Sequence, residues 1–382
     1  MRRSRPLAKR HSPFGHIGGL QQASSRLCRC NHETSSEHLP RLHCPPAPSS
    51  RYGYLREPSR SATGELLPKY LFALDIYQSA PVLSSLFGSI VESIRYLGPE
   101  NCALSVVEGR STDGTFEILS SLQPVLEGIG LKYYFQTSDI DPSSDRIQAL
   151  AALRNLAIEP YTAAPNTFSE SSTIIFINDI VLCGEDTLEV IHQRQYQGAH
   201  MACAMDWVYV GNDPTFYDIW IARGMTGDSF FNIPEDGSWN YAWNLFWNDP
   251  EARSSLHAGL PFQVFSCWNG IVAFNSQPVF EKKVGFRSVN DKECFQGEPK
   301  LFCKDLWHRG YGKIAVVPSV NVGYSVEEAQ KLKKLKGYVS NRLSSGEQER
   351  QIAWKGEPPD FVKCMPGYEH QSFVPWNEGL SV

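Results

Sequence analysis

Apolar residues recur in two alternating patterns along residues 69–177 of this 382-residue chain. Short runs rich in β-branched and aromatic residues predict strands, and the segments between them have the apolar spacing of amphipathic helices. The predicted strands cover residues 69–74, 102–107, 131–135 and 173–177, and the predicted helices cover residues 82–97, 116–126 and 145–158. Because strands that alternate with helices pair in parallel, we expect an α/β fold with a mostly parallel central sheet flanked by helices.

Acidic residues follow the predicted strands. Asp75 comes after the first strand, Glu108 and Asp113 after the second, and Asp179 after the fourth. The carboxyl ends of parallel strands meet at one edge of a sheet, where nucleotides bind, so we assign Asp75, Glu108 and Asp113 to nucleotide binding. For Asp113 the alternative is an N-cap of the following helix.

Asn178 and Asp179 end an apolar run that predicts a buried strand. Their side-chain oxygens suit a hard divalent cation that carries a diphosphate. We therefore assign both residues to a metal site. The alternative is a strand-end turn with Asp179 facing water.

Arg146 and Arg154 lie two turns apart on the predicted helix that covers residues 145–158. Guanidinium groups that face the nucleotide edge would bind a diphosphate bidentately, and the alternative is a solvated helix face. The chain has neither a Walker-type Gly-Lys-Ser/Thr loop nor a Gly-x-Gly-x-x-Gly turn after a strand. We therefore expect a metal and Arg side chains to bind the phosphates.

Tryptophan is concentrated in the second half, where seven of the nine residues lie between positions 207 and 307. Aromatic rings beside carboxylates and amides suit a pyranose, and Asp206-Trp207 and Trp268-Asn269 are the closest such pairs. We assign Trp207, Trp268 and Asn269 to acceptor binding, and the alternative is burial in the core. Three further residues recur every fourth position and predict a helix-packing stripe: Trp239, Trp243 and Trp247.

Charged residues near position 300 offer a second set of candidates. Glu298 and Asp305 would serve the acceptor or an oxocarbenium-like transition state, and with Asp206 they are our catalytic candidates. Lys300 and Lys304 are candidates for the leaving diphosphate.

Charge divides the chain into a basic start and an acidic body. Residues 1–65 hold 11 Lys and Arg against four Asp and Glu, whereas residues 66–382 hold 25 against 37. The start is rich in Arg, Ser and Pro and lacks a periodic pattern, so we expect a disordered tail over residues 1–65. An acidic body does not indicate a nucleic-acid partner.

The sequence has no run of roughly 18 apolar residues and no apolar signal-peptide core. The Arg- and Ser-rich start also resembles a mitochondrial transit peptide, which is a second interpretation of the tail. Connectivity of cysteines cannot be deduced from sequence, but nearness along the chain favours a Cys294–Cys303 bridge.

Nine segments, taken in order, resemble a known family. They are Glu108-Gly-Arg-Ser-Thr-Asp-Gly-Thr115, Leu150-x-x-Leu153-Arg-Asn155, Phe176-Ile-Asn-Asp-Ile180, Ala204-Met-Asp-Trp207, Tyr217-Asp-Ile-Trp-Ile-Ala-Arg223, residues 239–250, Phe265-Ser-Cys-Trp-Asn-Gly270, residues 297–307 and Lys313-Ile-Ala-Val-Val-Pro318. Together they are similar to the fungal α-1,3-mannosyltransferases of the cryptococcal capsule-synthesis type.

The resemblance implies a GT-A glycosyltransferase fold over residues 66–325, with a donor half (66–183) and an acceptor half (184–325). Residues 326–382 would be an extension that packs on this domain. It also implies a GDP-mannose donor, Mn²⁺ or another divalent cation at Asn178 and Asp179, and α-1,3 transfer to a mannan-type glycan with retention. Asn155, with Arg146 and Arg154, joins the donor site.

The family is typically anchored in Golgi membranes, so the resemblance implies a secretory-pathway location, with other glycosyltransferases as further partners. A second hypothesis is a catalytically silent relative that binds glycans or assembles with polysaccharide-synthesis enzymes. Hydrolysis of GDP-mannose would separate the two.

Overall fold

A mixed β-sheet forms the centre of the computed structural model, which describes residues 42–143, 145–281, 283–343 and 349–380. The strands are β1 (Ser59–Arg60), β2 (Leu66–Leu67), β3 (Tyr70–Ile76), β4 (Cys102–Glu108), β5 (Lys132–Thr137), β6 (Thr173–Ile177), β7 (Met201–Val210), β8 (Asp213–Phe216), β9 (Phe262–Gln263), β10 (Ile271–Asn275), β11 (Ile314–Gly323), β12 (Phe361–Gly367) and β13 (His370–Pro375). The central sheet has the order β5-β4-β3-β6-β10-β7-β11-β9, and β8 pairs with β7. Strands β5, β4, β3 and β6 are parallel, β10 is antiparallel to both neighbours, and β11 is parallel to β7.

Helices cover both faces of this sheet. They are α1 (Ser49–Tyr52), α2 (Ala80–Leu97), α3 (Thr115–Gly128), α4 (Arg146–Ala163), α5 (Gly184–Tyr196), α6 (Pro250–Ala258), α7 (Gln277–Glu281), α8 (Glu298–His308), α9 (Val326–Lys336) and α10 (Val339–Leu343). Side chains alternate across a strand, so β3 sends Tyr70 and Phe72 towards α2, and Leu71 and Ala73 towards the core that includes α4. The apolar strand runs are therefore buried on both faces.

The prediction of an α/β fold with a mostly parallel, helix-flanked sheet is confirmed. The strand predicted at residues 173–177 has the observed bounds. The helix predicted at residues 145–158 continues to Ala163 although Pro160 lies inside it. No helix among the described residues is both long and apolar enough to cross a bilayer.

The helix-packing stripe predicted for Trp239, Trp243 and Trp247 is wrong. Residues 239–248 form successive turns, Phe246 has a left-handed φ of 53°, and the Trp243 side chain is 80% exposed. The periodic spacing failed because the next helix begins after Asp249, whose side chain accepts the amide hydrogen of Ala252.

The described part of the predicted disordered tail is ordered. Residues 42–65 contain α1, β1 and a disulfide that joins Cys44 to Cys183. The Arg51 guanidinium and the Tyr52 hydroxyl both donate to Glu189 on α5. The domain therefore begins before residue 66, and residues 1–41 of the predicted tail lie outside the described residues.

The C-terminal residues pack against the domain through the β12–β13 hairpin, where Val362 and Met365 enter the main core. The predicted Cys294–Cys303 bridge is wrong, because Cys294 pairs with Cys364 of this hairpin and Cys303 is a buried thiol on α8. A third disulfide joins Cys203 to Cys267.

Candidate active site at the carboxyl edge of the sheet

Four of the predicted residues lie together where the parallel strands end. Asp75 lies near the end of β3, Asp179 follows β6, Arg154 projects from α4, and Glu298 begins α8. The Arg154 Nε donates to Glu298 Oε1 at 2.8 Å. Burial raises the pKa of Asp75 to about 6, with Arg154 opposing this rise and Glu298 and Asp179 adding to it. The charges of all four residues therefore meet at this edge.

Arg154 is buried within an aromatic cage. Its guanidinium carbon lies 4.7 Å from the ring centre of Trp268, 5.1 Å from that of Phe176 and 5.9 Å from that of Phe286. Burial opposes its charge, but Asp75 and Glu298 outweigh that effect and raise its pKa. Its Nη1 is buried without a protein partner. Since an unpaired buried donor is costly, this atom is a candidate donor to a ligand oxygen.

Two further acidic residues, Asp206 and Asp218, lie beside each other, and Asp218 is also close to Arg154. Burial, reinforced by the neighbouring charge of Asp218, raises the pKa of Asp206 well above its usual range. Tyr324 donates its hydroxyl to Asp206 Oδ2 at 2.7 Å, and Asp206 Oδ1 is buried without a partner. The backbone amide of Asn269 donates to Asp218 Oδ2 at 2.9 Å, and burial raises the pKa of Asp218 to about 6. Asp206 is completely buried whereas Asp218 is partly exposed. Asp218 is therefore the carboxylate of the pair that can contact a ligand.

Tyr217 and Arg146 lie at the mouth of this site. The Tyr217 side chain is 47% exposed, and its ring centre lies 4.7 Å from that of Tyr324. Burial raises the pKa of Tyr217, the charges of Asp206 and Asp218 add to the rise, and exposed Arg146 opposes it. Arg146 is therefore close to the acidic cluster but forms no close ion pair in it.

Asn178 and Asp179 provide an incomplete set of metal ligands. Asn178 Oδ1 already accepts the indole hydrogen of Trp268 at 3.1 Å. The Asp179 side chain is exposed, yet the neighbouring protein desolvates it enough to raise its pKa. Across the described residues, no three His, Cys, Asp or Glu side chains form a group that could hold a metal ion. A cation at Asp179 would therefore need oxygen ligands from a bound substrate.

Glu108, Asp113 and Asn155 bind backbone atoms of this chain. Glu108 accepts the amide hydrogen of Ser111, and Asp113 accepts those of Ala80 and Thr115. The N-cap of the following helix is Gly114 rather than Asp113, so the N-cap alternative is wrong in detail, although Asp113 does bind amides at the starts of two helices. Both ends of the Asn155 amide pair with the backbone of Phe286. These side chains fix the loops around the site, and the structure gives no support to their assignment as donor ligands.

The predicted acceptor residues are buried, which contradicts sugar stacking. Trp207 donates its indole hydrogen to Asn321 and packs in the core, and Trp268 is 1% exposed beneath Arg154. Asn269 is also buried, with a φ of 53°, and its side chain donates to the carbonyl of Ala204. Neither ring has a free face for a pyranose.

Asp305 and the two lysines form ion pairs or hydrogen bonds within the protein. Both Asp305 oxygens accept from the Arg287 guanidinium, and Lys304 pairs with Glu293 at 2.8 Å. The Lys300 Nζ donates to the carbonyl oxygen of residue 363 at 2.7 Å, and burial lowers its pKa well below the usual value. The structure thus uses all three in packing, which contradicts a catalytic role for Asp305 and a diphosphate role for the lysines.

Sequence reasoning missed Asp218 and Tyr324. Asp218 lies within the motif at residues 217–223, which carried the family resemblance, but its place in the site depends on the amide of Asn269, 51 residues further along the chain. Tyr324 follows β11 and has no distinctive sequence context.

The sequence matches the model of a family described as Cryptococcal mannosyltransferase 1 over residues 69–305, which is more than half of the chain. It is 32% identical over 319 residues to the α-1,3-mannosyltransferase CMT1 of Cryptococcus neoformans var. neoformans, and the match covers 78% of this chain and 68% of that protein.

Two solved glycosyltransferase structures are more distantly similar. The Pyrobaculum calidifontis mannosyltransferase PcManGT, in complex with GDP-Man and Mn²⁺, has a TM-score of 0.40 at 12% identity and covers 87% of this chain and 77% of its own. Residues 1–349 of TarS from S. aureus have a TM-score of 0.39 at 11% identity, and the match covers 74% of this chain and 67% of that chain. On the match of its sequence, the chain belongs to the cryptococcal mannosyltransferase 1 family of glycosyltransferases.

Proposed function

We propose that this mannosyltransferase moves mannose from GDP-mannose to the 3-hydroxyl of a mannose residue in a mannan-type glycan, with retention of the α configuration. The observation that carries the proposal is the buried Arg154, whose Nη1 has no protein partner and which lies beside Asp75 and Asp218. A fixed cation with a free donor suits a phosphate oxygen, and carboxylates suit sugar hydroxyls.

We place the divalent cation, Mn²⁺ in the family, at Asp179, with Asn178 beside it. A bound cation would neutralise charge on the leaving diphosphate. The residues present fit this arrangement because Asp179 has an exposed carboxylate at the ligand edge, near a second acid at Asp75. The diphosphate would supply oxygen ligands that the chain lacks.

Retention places the attacking hydroxyl on the face from which the diphosphate leaves. The bond between C1 and the phosphate oxygen breaks, the bond between C1 and the acceptor oxygen forms, and the acceptor proton passes to the leaving phosphate. Arg154 stabilises the charge that develops on that phosphate. Asp218 accepts from a sugar hydroxyl and holds it in place, since orientation supplies much of the rate enhancement in group transfer. Asp206 acts beneath it as a positioning residue.

The test compares wild type with Asp179→Ala in GDP binding by calorimetry, with and without Mn²⁺. We expect Mn²⁺ to strengthen GDP binding by the wild type and to have no effect on the variant, while circular dichroism is unchanged. Asp213→Ala is the matched control, because Asp213 is an exposed acid at the start of β8. Unchanged Mn²⁺-dependent affinity in Asp179→Ala would contradict the metal assignment.

Product analysis tests the reaction itself. Incubation with GDP-mannose, Mn²⁺ and an α-mannoside should give an α-1,3-linked product by proton NMR, and a β-mannoside would overturn the mechanism. Absence of both hydrolysis and nucleotide binding would favour the silent glycan-binding alternative.

We also propose a location in the secretory pathway, such as the Golgi. Three disulfides support it, because disulfides persist in oxidising compartments.

A further inference from the structure

Exposed aromatic rings occur beside the acidic site, on the turn that follows β8. Tyr217 and Trp220 flank Asp218 on this turn and are 47% and 39% exposed. Ile219 and Ile221 on the same turn are buried. The turn therefore presents two aromatic side chains to solvent on either side of a candidate sugar-binding carboxylate.

The hairpin adds a third ring to this surface. Tyr368, in the turn between β12 and β13, lies with its ring centre 5.4 Å from that of Trp220, and the planes differ by 33°. Gln371 donates to the Tyr368 carbonyl and to that of Ile233, which ties the hairpin turn to the domain. A Cβ at Gly237 would lie 2.5 Å from the Tyr368 ring, so the ring packs directly over that glycine.

The turn beneath these rings is held rigidly. Arg223 is buried and donates from Nη1 to the carbonyls of Ile219 and Ala222, and from Nε to that of residue 363 in the hairpin. Ser266 donates to the carbonyl of Ile221. One buried guanidinium thus joins the backbone of the turn to the backbone of the hairpin. This holds together the two segments that carry the rings, and preorganised segments lose little conformational entropy on binding.

We infer that Trp220 and Tyr368 form an aromatic platform for the second and later sugars of an extended mannoside acceptor. The inference rests on the proposed function, because it takes the first acceptor sugar to lie at Asp218. Aromatic rings stack on the apolar faces of pyranoses, and Trp220 lies two residues after Asp218 on the same turn. Neither Trp220 nor Tyr368 contacts the reacting atoms, so both are specificity residues.

The experiment compares methyl α-mannoside with an α-linked mannotriose as acceptors for the full chain. For the wild type we expect a lower KM with the trisaccharide. Trp220→Ala and Tyr368→Ala should each raise the trisaccharide KM roughly three- to tenfold, and should leave the monosaccharide KM and the rate of GDP-mannose hydrolysis unchanged. Trp220→Phe should retain most of the preference for length, because it keeps a ring.

Phe361→Ala is the matched control. Phe361 is 55% exposed on the same hairpin, but lies about seven residues, or roughly 20 Å of strand, from the turn. It should behave as wild type. A folded Trp220→Ala protein with the wild-type preference for length, or a wild type without such a preference, would overturn the platform.

Mannotriose binding without donor, measured by calorimetry, separates the platform from the reaction. If the wild type transfers no mannose, the proposed function fails. Weaker mannotriose binding by Trp220→Ala than by wild type would then still support the platform, and equal binding or none would overturn it.

Discussion

Arg154 interacts with most of the acidic side chains at the carboxyl edge of the sheet. Its charge is stabilised by Asp75, Glu298 and Asp218, which come from three separate parts of the chain. Three aromatic rings surround its guanidinium, so water does not compete for its hydrogen bonds. A guanidinium in such a site keeps its charge and a fixed orientation, which a flexible lysine would not provide.

Removal of this charge should destabilise the fold. Arg154→Met leaves the buried Glu298 carboxylate without its partner, and we expect the free energy of unfolding in urea to fall by about 3–5 kcal/mol. The double variant Arg154→Met, Glu298→Met should regain part of that loss, because it removes the carboxylate that pairs directly with Arg154 while Asp75 and Asp218 remain, but it should stay inactive. A loss below about 1 kcal/mol in the single variant would contradict the importance of this pair.

Asp75 provides a pH-dependent prediction. Its pKa of about 6 in the folded protein is above the usual value, so the folded state binds its proton more tightly than the unfolded state. Its favourable contribution is complete below about pH 4 and is lost as the pH rises through 6. Asp75→Asn should therefore be more stable than wild type at pH 7.5, by roughly 3 kcal/mol, and similar to it at pH 4.

Urea unfolding at both pH values measures this difference. Asp213→Asn, which changes an exposed acid, is the control and should follow the wild type. An Asp75→Asn variant with the same difference from wild type at both pH values would contradict the prediction.

At this scale the sequence predicted which edge carries the site more reliably than which side chains line it. Position after a strand correctly placed Asp75 and Asp179 at the edge, because chain direction alone determines that. The pairing of Arg154 with Glu298 joins residues 144 positions apart, and no local pattern encodes it. Trp207, Trp268 and Trp220 are all tryptophans, but the first two are buried and only Trp220 faces solvent. Which ring is exposed depends on the whole fold, so residue type alone could not predict it.

At the scale of elements, the regular part of the fold was predictable and the irregular part was not. Strands β3, β4, β5 and β6 have strong apolar runs, and each appears within about two residues of its predicted bounds. Residues 239–248 have helical spacing, but Asp249 and Pro250 follow them directly and begin a different helix. Local spacing there had no tertiary support, so turns replaced the predicted helix.

The loops between elements also depend on contacts distant in sequence. The turn after β3 is joined to the turn after β4, since Gln78 and Ser79 donate their amide hydrogens to Ser111 and Thr115. Asp113 adds a third link between these turns, because its side chain accepts the amide hydrogen of Ala80. Polar side chains that resembled nucleotide ligands in the sequence therefore stabilise the two loops that border the site.

At the scale of the molecule, residues 42–65 belong to the catalytic domain. Leu55 and Tyr52 are completely buried, and the Cys44–Cys183 disulfide spans 139 residues of sequence. The composition of residues 1–65 suggested a tail because Arg, Ser and Pro are abundant in it. Charge and proline content describe the average of that stretch, whereas three side chains at positions 51, 52 and 55 determine how its end packs.

We therefore expect a chain that starts at residue 66 to be less stable than one that starts at residue 42. The shorter chain loses the Cys44–Cys183 bridge, worth about 3–5 kcal/mol for so long a loop, and leaves Glu189 buried without Arg51. Its melting temperature by circular dichroism should fall by roughly 10 °C or more. Cys44→Ser in the longer chain is the control, because it removes the bridge while the Arg51–Glu189 pair remains, and it should melt between the two. Equal melting temperatures for the two chains would show that residues 42–65 contribute nothing to the stability of the domain.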